Sequence, residues 1–235
     1  IRPAGTSTLH ASATLHVKDN INAGGATTLY GGTAVTVDST TDAAGHVWGK
    51  ANTGDLTLSG TLTATGTTKH ATLDAGGVMS LVAVTVTGVL DAEAGTKVDL
   101  AGDVTAGSHV NMDVTGGTGT LAVATGLTVK STGGSVTLDT GASGGIRPAG
   151  TSTLHASATL HVKTNINAGG FTTLYGGTAV TVDSTTEAAD HVWGKANTGD
   201  LTLSDTLTTT GTTKDATLNA GTTLSLVAVT VTGVL

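Results

Sequence analysis

The chain has 235 residues, of which 52 are Thr, 35 are Gly and only five are aromatic, and its formal net charge is −7. Thr and Gly are poor helix formers, and the chain has no sustained 3.6-residue apolar period, so a compact helical domain is excluded. Charged residues are too sparse for a disordered acidic tail. The negative charge argues against nucleic acid or an anionic membrane as partner. The lack of Cys removes disulfides and thiolate metal sites, and no apolar run is long enough to span a membrane as a helix.

Short β-strands are predicted along the whole chain, because pairs of apolar residues separated by one residue recur with one face inward. The spacing between successive pairs is 15 to 24 residues. In chain order the pairs are Leu15/Val17, Val35/Val37, Leu56/Leu58, Met79/Leu81, Val98/Leu100, Leu121/Val123, Val136/Leu138 and Leu160/Val162. Gly, Asn and Asp between the strands are expected to supply corners with positive φ.

A long duplication divides the chain. Residues 1–90 recur as residues 146–235 with eleven differences in ninety positions. We therefore predict one domain, 1–235, made of a first repeat unit, 1–145, and a second unit, 146–235, that is truncated within a longer parent chain. The 145-residue offset fits seven turns of about 20.7 residues, and a whole number of turns would keep the two copies in register.

Stacking of the short strands predicts an all-β fold, a parallel β-helix with turns of about 20 residues. About eleven such turns would form a rod of about 50–55 Å. Val, Leu and Ala suit its narrow interior, and Thr at positions such as Thr57, Thr85 and Thr137 suits its outer surface. A β-roll, an irregular β-sandwich and a trimeric fibre are alternatives, but recurrence near 20 residues, rather than 8–12, favours the β-helix.

Four segments carry a resemblance to a known family. They are Thr61–Gly66, Ala71–Gly77, Gly95–Gly102 and Asp103–Gly107, which share a degenerate pattern of Gly, Ala and aliphatic residues at alternate positions. This pattern resembles the repeats of filamentous-haemagglutinin-like exoproteins, the passengers of bacterial two-partner secretion that include adhesins and contact-dependent inhibition proteins. The resemblance implies a right-handed parallel β-helix that is secreted and displayed as a fibre on the bacterial surface. Its partners would be further turns of the same parent chain.

The two Trp residues mark a candidate contact site. Each lies in a His-Val-Trp-Gly-Lys segment, with a Tyr about one turn earlier. An exposed aromatic ring beside polar groups can contact a polysaccharide or a host-cell glycan. The candidate residues are Tyr30, Trp48 and Lys50, with their copies Tyr175, Trp193 and Lys195. The competing interpretation is that Trp fills a wider part of the interior or closes a loop.

Two glycine-rich motifs are interpreted as turns. Residues 141–145 match the Gly-x-Ser-x-Gly nucleophile elbow, but that motif needs a helix after it, and Ile-Arg-Pro follows. Residues 116–121 begin like a calcium-binding nonapeptide, but Leu121 replaces the ligand Asp.

Isolated polar residues do not predict a catalytic, cofactor or metal site. The pair His10 and His16, copied as His155 and His161, has no carboxylate at ligand spacing, so we expect solvated strand residues. A glycosidase pair would need two facing acids, and the candidates for it are Asp38, Asp55, Asp74 and Asp99. Uneven Thr-x-Thr spacing disfavours an ice-binding lattice.

The favoured interpretation is a stiff, non-catalytic stalk segment of a large bacterial surface or biofilm-matrix adhesin. A carbohydrate-binding module that uses the Trp and Tyr residues is the alternative, and a polysaccharide-cleaving enzyme ranks third. Both ends of the isolated chain should be open β-helix edges, so we expect end-to-end self-association.

Overall fold

The fold is a parallel β-helix, as predicted. The computed structural model describes residues 1–141 and 143–235, and these contain thirty β-strands and no helix. The strands pair in parallel and stack in about 11 turns of about 21 residues. In this part of the chain there is accordingly no helix long and apolar enough to cross a membrane.

Three strands in each turn stack on their counterparts in the next turn and form three ladders. Ladder 1 contains β1 (Ser7–Ala11), β4 (Thr27–Gly31), β7 (Val47–Ala51), β10 (Ala71–Ala75), β13 (Leu90–Ala94), β16 (Val110–Val114), β19 (Val136–Asp139), β22 (Thr159–Val162), β25 (Ala179–Val182) and the first parts of β28 (Leu201–Thr209) and β30 (Leu224–Thr230). Ladder 2 contains β2 (Leu15–Val17), β5 (Val35–Val37), β8 (Leu56–Leu58), β11 (Val78–Leu81), β14 (Lys97–Leu100), β17 (Thr120–Val123), β20 (Gly145–Pro148), β23 (Asn165–Ala168), β26 (Thr186–Ala188) and the second parts of β28 and β30. Ladder 3 contains β3 (Ile21–Ala23), β6 (Thr41–Ala43), β9 (Leu62–Ala64), β12 (Val84–Val86), β15 (Val104–Ala106), β18 (Leu127–Ser131), β21 (Ser152–Ala156), β24 (Thr172–Gly176), β27 (Val192–Ala196) and β29 (Ala216–Ala220).

The core is a narrow column of Val, Leu and Ala that runs through all the turns. It follows from strand alternation, because every second residue points inward. On ladder 1, Leu29, Gly49 and Leu73 occupy successive inward positions, and both leucines are almost completely buried. Thr57, Thr85 and Thr137 occupy the outward positions predicted for them. Some threonines point inward instead, and four of their buried hydroxyls have no hydrogen-bond partner among the described residues: Thr27, Thr41, Thr172 and Thr186.

The duplication does not span a whole number of turns, so the seven-turn prediction is wrong. The copy of β1 is β21, twenty strands later, and β1 belongs to ladder 1 whereas β21 belongs to ladder 3. At three strands per turn, the offset is six turns and two strands. The offset is not a whole number of turns because Leu121 lies on ladder 2 whereas Val136, 15 residues later, lies on ladder 1. The strands of the second copy still stack in register, because all three ladders have apolar residues at alternate, inward positions.

Most corner glycines are needed for close approach between turns. The prediction that these glycines supply positive φ is wrong for most of them. Among the described glycines only Gly126 and Gly141 have positive φ, and two threonines, Thr68 and Thr213, also adopt it. A Cβ atom at Gly102 would overlap the carbonyl oxygen of Val82 in the turn below. The stacking distance between turns therefore dictates glycine at such corners.

Candidate functional site

The first aromatic cluster lies on the outer surface of ladder 1. His10, Tyr30, Lys50 and Asp74 occupy the same outward position on four successive turns. The Tyr30 and Trp48 rings are nearly parallel, at an interplanar angle of 11° with centroids 6.5 Å apart, and the His10 ring lies 4.6 Å from Tyr30. The side chain of Trp48 remains 38 % exposed. The structure thus brings together the predicted residues Tyr30, Trp48 and Lys50 and adds two that were not predicted, His10 and Asp74.

The second aromatic cluster repeats this arrangement on ladder 3. Tyr175 and Trp193 are parallel within 6° with centroids 6.4 Å apart, and His155 lies 4.5 Å from Tyr175. Lys195 stands in register with Tyr175 on the next turn. The two clusters have the same geometry, but they lie on different ladders because the copies are offset by six turns and two strands.

The clusters differ in charge. In the first, Lys50 Nζ lies 2.5 Å from Asp74 Oδ2, and this hydrogen bond and the negative charge of Asp74 raise the pKa of Lys50 against the opposing effect of burial. In the second, Asn219 replaces Asp74 beside Lys195. Partial burial lowers the pKa of His155, and the positive charge of Lys130 on the preceding turn lowers it further. Because Lys195 faces Asn219 where Lys50 faces the carboxylate of Asp74, the second cluster is more cationic around its Lys than the first.

An acidic groove continues the first cluster along ladder 1. Asp74, Glu93, Asp113 and Asp139 hold the same outward position on successive turns, and Asp91 lies in the neighbouring outward column. A shallow pocket of about 220 Å³ is lined by Asp91, Glu93, Asp113 and Asp139 of this groove, and Lys163 at its edge places Nζ 3.8 Å from Asp139 Oδ2. Partial desolvation of the exposed Asp113 side chain in the groove raises its pKa, the charges of Asp139 and Asp91 raise it further, and Lys163 opposes them.

Replacing Asp113 by Asn is expected to stabilise the protein at neutral pH. A raised folded-state pKa means that the folded chain holds the proton more tightly than the unfolded chain, so the favourable contribution of protonated Asp113 is lost as the pH rises through that pKa. Because the side chain is solvent-exposed, we expect a gain of at most about 0.5 kcal/mol. Urea unfolding at pH 7 and pH 3 checks it: the gain should vanish at pH 3, and a loss of stability at pH 7 would contradict it.

Four histidines act as backbone acceptors at the corners. Nδ1 of His46, His70, His109 and His191 each accepts a hydrogen bond from a backbone N–H one turn later, at 2.8 to 3.1 Å. In the second unit Asp215 replaces His70, and its Oδ1 accepts the N–H of Val234 at 2.7 Å, as His70 Nδ1 accepts that of Val89 at 2.8 Å. The His-to-Asp difference between the copies therefore preserves the bond.

Replacing His70 by Asp should change the free energy of unfolding by less than about 0.5 kcal/mol, because the carboxylate restores the acceptor for the Val89 N–H. His70→Ala should lower it by about 1 kcal/mol, since that N–H loses its partner. Thermal unfolding at neutral pH compares the two variants, with Asp215→His as the reciprocal control. Equal losses for the Asp and Ala variants would show that the acceptor is unimportant.

The predicted histidine pair is divided between two strands. His10 and His16 lie on different ladders, and His16 Nε2 contacts Asp38 Oδ2 on the next turn at 2.6 Å, a carboxylate partner that linear spacing did not reveal. Its copy His161 contacts Asp183 at the same distance. Among residues 1–141 and 143–235, no group of three or more His, Cys, Asp or Glu side chains could hold a metal ion.

The candidate glycosidase acids make separate local contacts. Asp38 bonds to His16, Asp74 to Lys50, and Asp99 to Lys97 at 2.7 Å, while Asp55 accepts the N–H of Val78. The Gly-x-Ser-x-Gly motif is followed by strand β20, and its residue Ala142 lies outside the described residues. At the nonapeptide-like segment, Leu121 is buried in β17 and points into the core.

The fold defines the chain as a parallel β-helix repeat protein with two copies of an aromatic surface cluster. Comparison with protein-family models, with curated proteins and with solved structures gives no match.

Proposed function

We propose that the chain is a stiff, non-catalytic stalk segment of a large bacterial surface or biofilm-matrix adhesin of the filamentous-haemagglutinin type. One observation carries the proposal: the parallel ladders and the Val, Leu and Ala core continue from the first turn to the last. A continuous backbone ladder over a packed core resists bending and holds whatever is attached to one end away from the other. In this role the chain is secreted, and its partners are further turns of the same parent.

The distance between the two ends tests the stiffness of the rod. The chain has no Cys, so single cysteines at Ser12 in the first turn and Ser225 in the last can be labelled with a fluorescent donor and acceptor. Ten turn spacings predict one narrow distance distribution near 50 Å in single-molecule energy transfer. The same pair in strong denaturant provides the unfolded control. A broad distribution under native conditions would refute the stiff stalk.

A second candidate function is carbohydrate binding by the aromatic clusters. The repeated pair of parallel Tyr and Trp rings supports it, because each pair lies beside a Lys that can donate hydrogen bonds to hydroxyls or carboxylates. The double variant Trp48→Ala with Trp193→Ala should lose binding on a glycan array. Phe171→Ala, which removes an aromatic ring outside both Tyr–Trp pairs, should keep it. If the unaltered chain binds no glycan on the array, this function is excluded for the glycans displayed.

A further inference from the structure

We propose that the second aromatic cluster binds acidic polysaccharides whose sugar rings carry carboxylates, and that the first cluster does not. The proposal rests on the carbohydrate-binding function and names the class of glycan that Tyr175, Trp193 and Lys195 take. The two clusters have the same aromatic geometry and differ in charge, so charge decides which glycan each one accepts.

A column of cationic, polar and aromatic side chains runs along the outer surface of ladder 3. Lys130, His155, Tyr175 and Lys195 occupy the same outward position on four successive turns, and Asn219 follows on the next. At a spacing of about 4.8 Å per turn, Lys130 and Lys195 stand about 14 Å apart. A linear polymer that lies along the rod can therefore contact both lysines and the rings between them.

This face of the rod carries no carboxylate on its strands. The neighbouring outward column consists of Thr128, Thr153, Thr173, Trp193 and Thr217. The outward positions of β18, β21, β24, β27 and β29 thus hold two Lys and neither Asp nor Glu. Neither Lys130 nor Lys195 forms an ion pair with any described residue, so both ammonium groups are available to a ligand.

The acids beside this face make contacts of their own. Asp190 and Asp215 lie at the corner that precedes β27 and β29. Asp190 Oδ1 lies 2.9 Å from Lys214 Nζ, and Asp215 Oδ1 accepts the N–H of Val234 at 2.7 Å. The pairing with Lys214 offsets the charge of Asp190, which limits its repulsion of an anion on the strands.

The first cluster presents the opposite charge. Its column continues from Lys50 into Asp74, Glu93, Asp113 and Asp139 on the four following turns. Asp74 neutralises Lys50 through their contact at 2.5 Å, and the acids beyond it repel a polyanion. We therefore expect this cluster to contact neutral glycans only.

The arrangement favours an acidic polysaccharide over a nucleic acid. A nucleic acid binds through many cations that neutralise closely spaced phosphates, whereas this face offers two widely separated lysines. The net charge of −7 on the whole chain also repels a dense polyanion. A uronate ring instead combines one carboxylate, which a Lys ammonium can bind, with C–H groups that can pack on Tyr175 and Trp193.

Isothermal titration calorimetry with uronate oligomers tests the proposal. The probes are oligomers of galacturonate and of mannuronate, with their methyl esters as neutral controls. The unaltered chain should bind at least one acid oligomer more tightly than its ester, and rising salt should weaken this preference. Lys195→Gln should weaken binding of that acid oligomer about fivefold, because an exposed ion pair is lost.

Asn219→Asp is the most specific variant, because it recreates beside Lys195 the carboxylate that neutralises Lys50 in the first copy. It should weaken binding of the acid oligomer about fivefold and binding of the ester much less. Asn111→Asp is the matched control, since it adds the same charge at an exposed position on ladder 1 and should bind the acid oligomer as the unaltered chain does. Circular dichroism verifies that each variant is folded.

Four results would overturn the proposal. Equal binding of acid and ester oligomers would refute selection by charge while leaving the carbohydrate function intact. No binding of any oligomer, together with no binding on the glycan array, would refute the carbohydrate function as well. Equal losses for Asn219→Asp and Asn111→Asp would show that overall charge matters and the second cluster does not. Tighter binding of a single-stranded oligothymidylate than of either uronate would assign the face to nucleic acid.

Discussion

Replacing Gly102 by Ala is expected to lower the free energy of unfolding by about 3 kcal/mol. The added Cβ would overlap the carbonyl oxygen of Val82 in the turn below, and that carbonyl belongs to the backbone and cannot move aside. Relief requires the two turns to separate locally, which weakens the adjacent hydrogen bond from the Ala101 N–H to the Leu81 carbonyl, 2.9 Å long. Urea unfolding followed by circular dichroism measures the loss.

Gly117→Ala is the matched control for this substitution. A Cβ at Gly117 meets no atom within 4 Å, and Gly117 is not among the positive-φ glycines. We expect a change within about 0.5 kcal/mol of zero. If both variants lost the same stability, the cost would arise from the general loss of glycine, and close approach between turns would not be the reason for glycine at the corners.

Leu73→Ala is expected to cost about 3–4 kcal/mol, whereas the equivalent Leu218→Ala should cost less than half as much. Leu73 lies between two small inward neighbours, Gly49 and Ala92, which cannot fill the cavity that the substitution leaves. Leu218 has the equivalent neighbour Gly194 on one side but lies at the last turn, where it is only partly buried. Chemical unfolding at neutral pH compares the two variants. Equal costs would contradict the burial difference.

The fold was predictable from the sequence because strand alternation and recurrence near 20 residues are local properties of the chain. They indicated short parallel strands, a Val, Leu and Ala interior and about eleven turns, and these predictions are confirmed. The rotation between the copies was not predictable from spacing alone. The pairs at Leu121/Val123 and Val136/Leu138 have the same pattern although they belong to different ladders, because the three sides of a turn impose the same alternation.

The surface was only partly predictable. Tyr30 and Trp48 were expected about one turn apart, and the structure places their rings in a stacked pair. Contacts such as His16 with Asp38 join residues 22 apart, and the number of residues per turn varies, so register had to be known before such partners could be identified. The acidic groove escaped prediction for the same reason, since its members are separated by 19 to 26 residues.

The offset of six turns and two strands between the copies makes the duplication a screw operation. One 145-residue step advances the chain six turns and two strands, which corresponds to a translation of about 32 Å and a net rotation of two thirds of a turn. Two aromatic clusters with the same geometry therefore lie on different ladders, and three steps of the same kind would return to the starting ladder after twenty turns. Repetition by such a step distributes identical surface features around the circumference of a rod. A flat partner approaching from any side would then meet one of them.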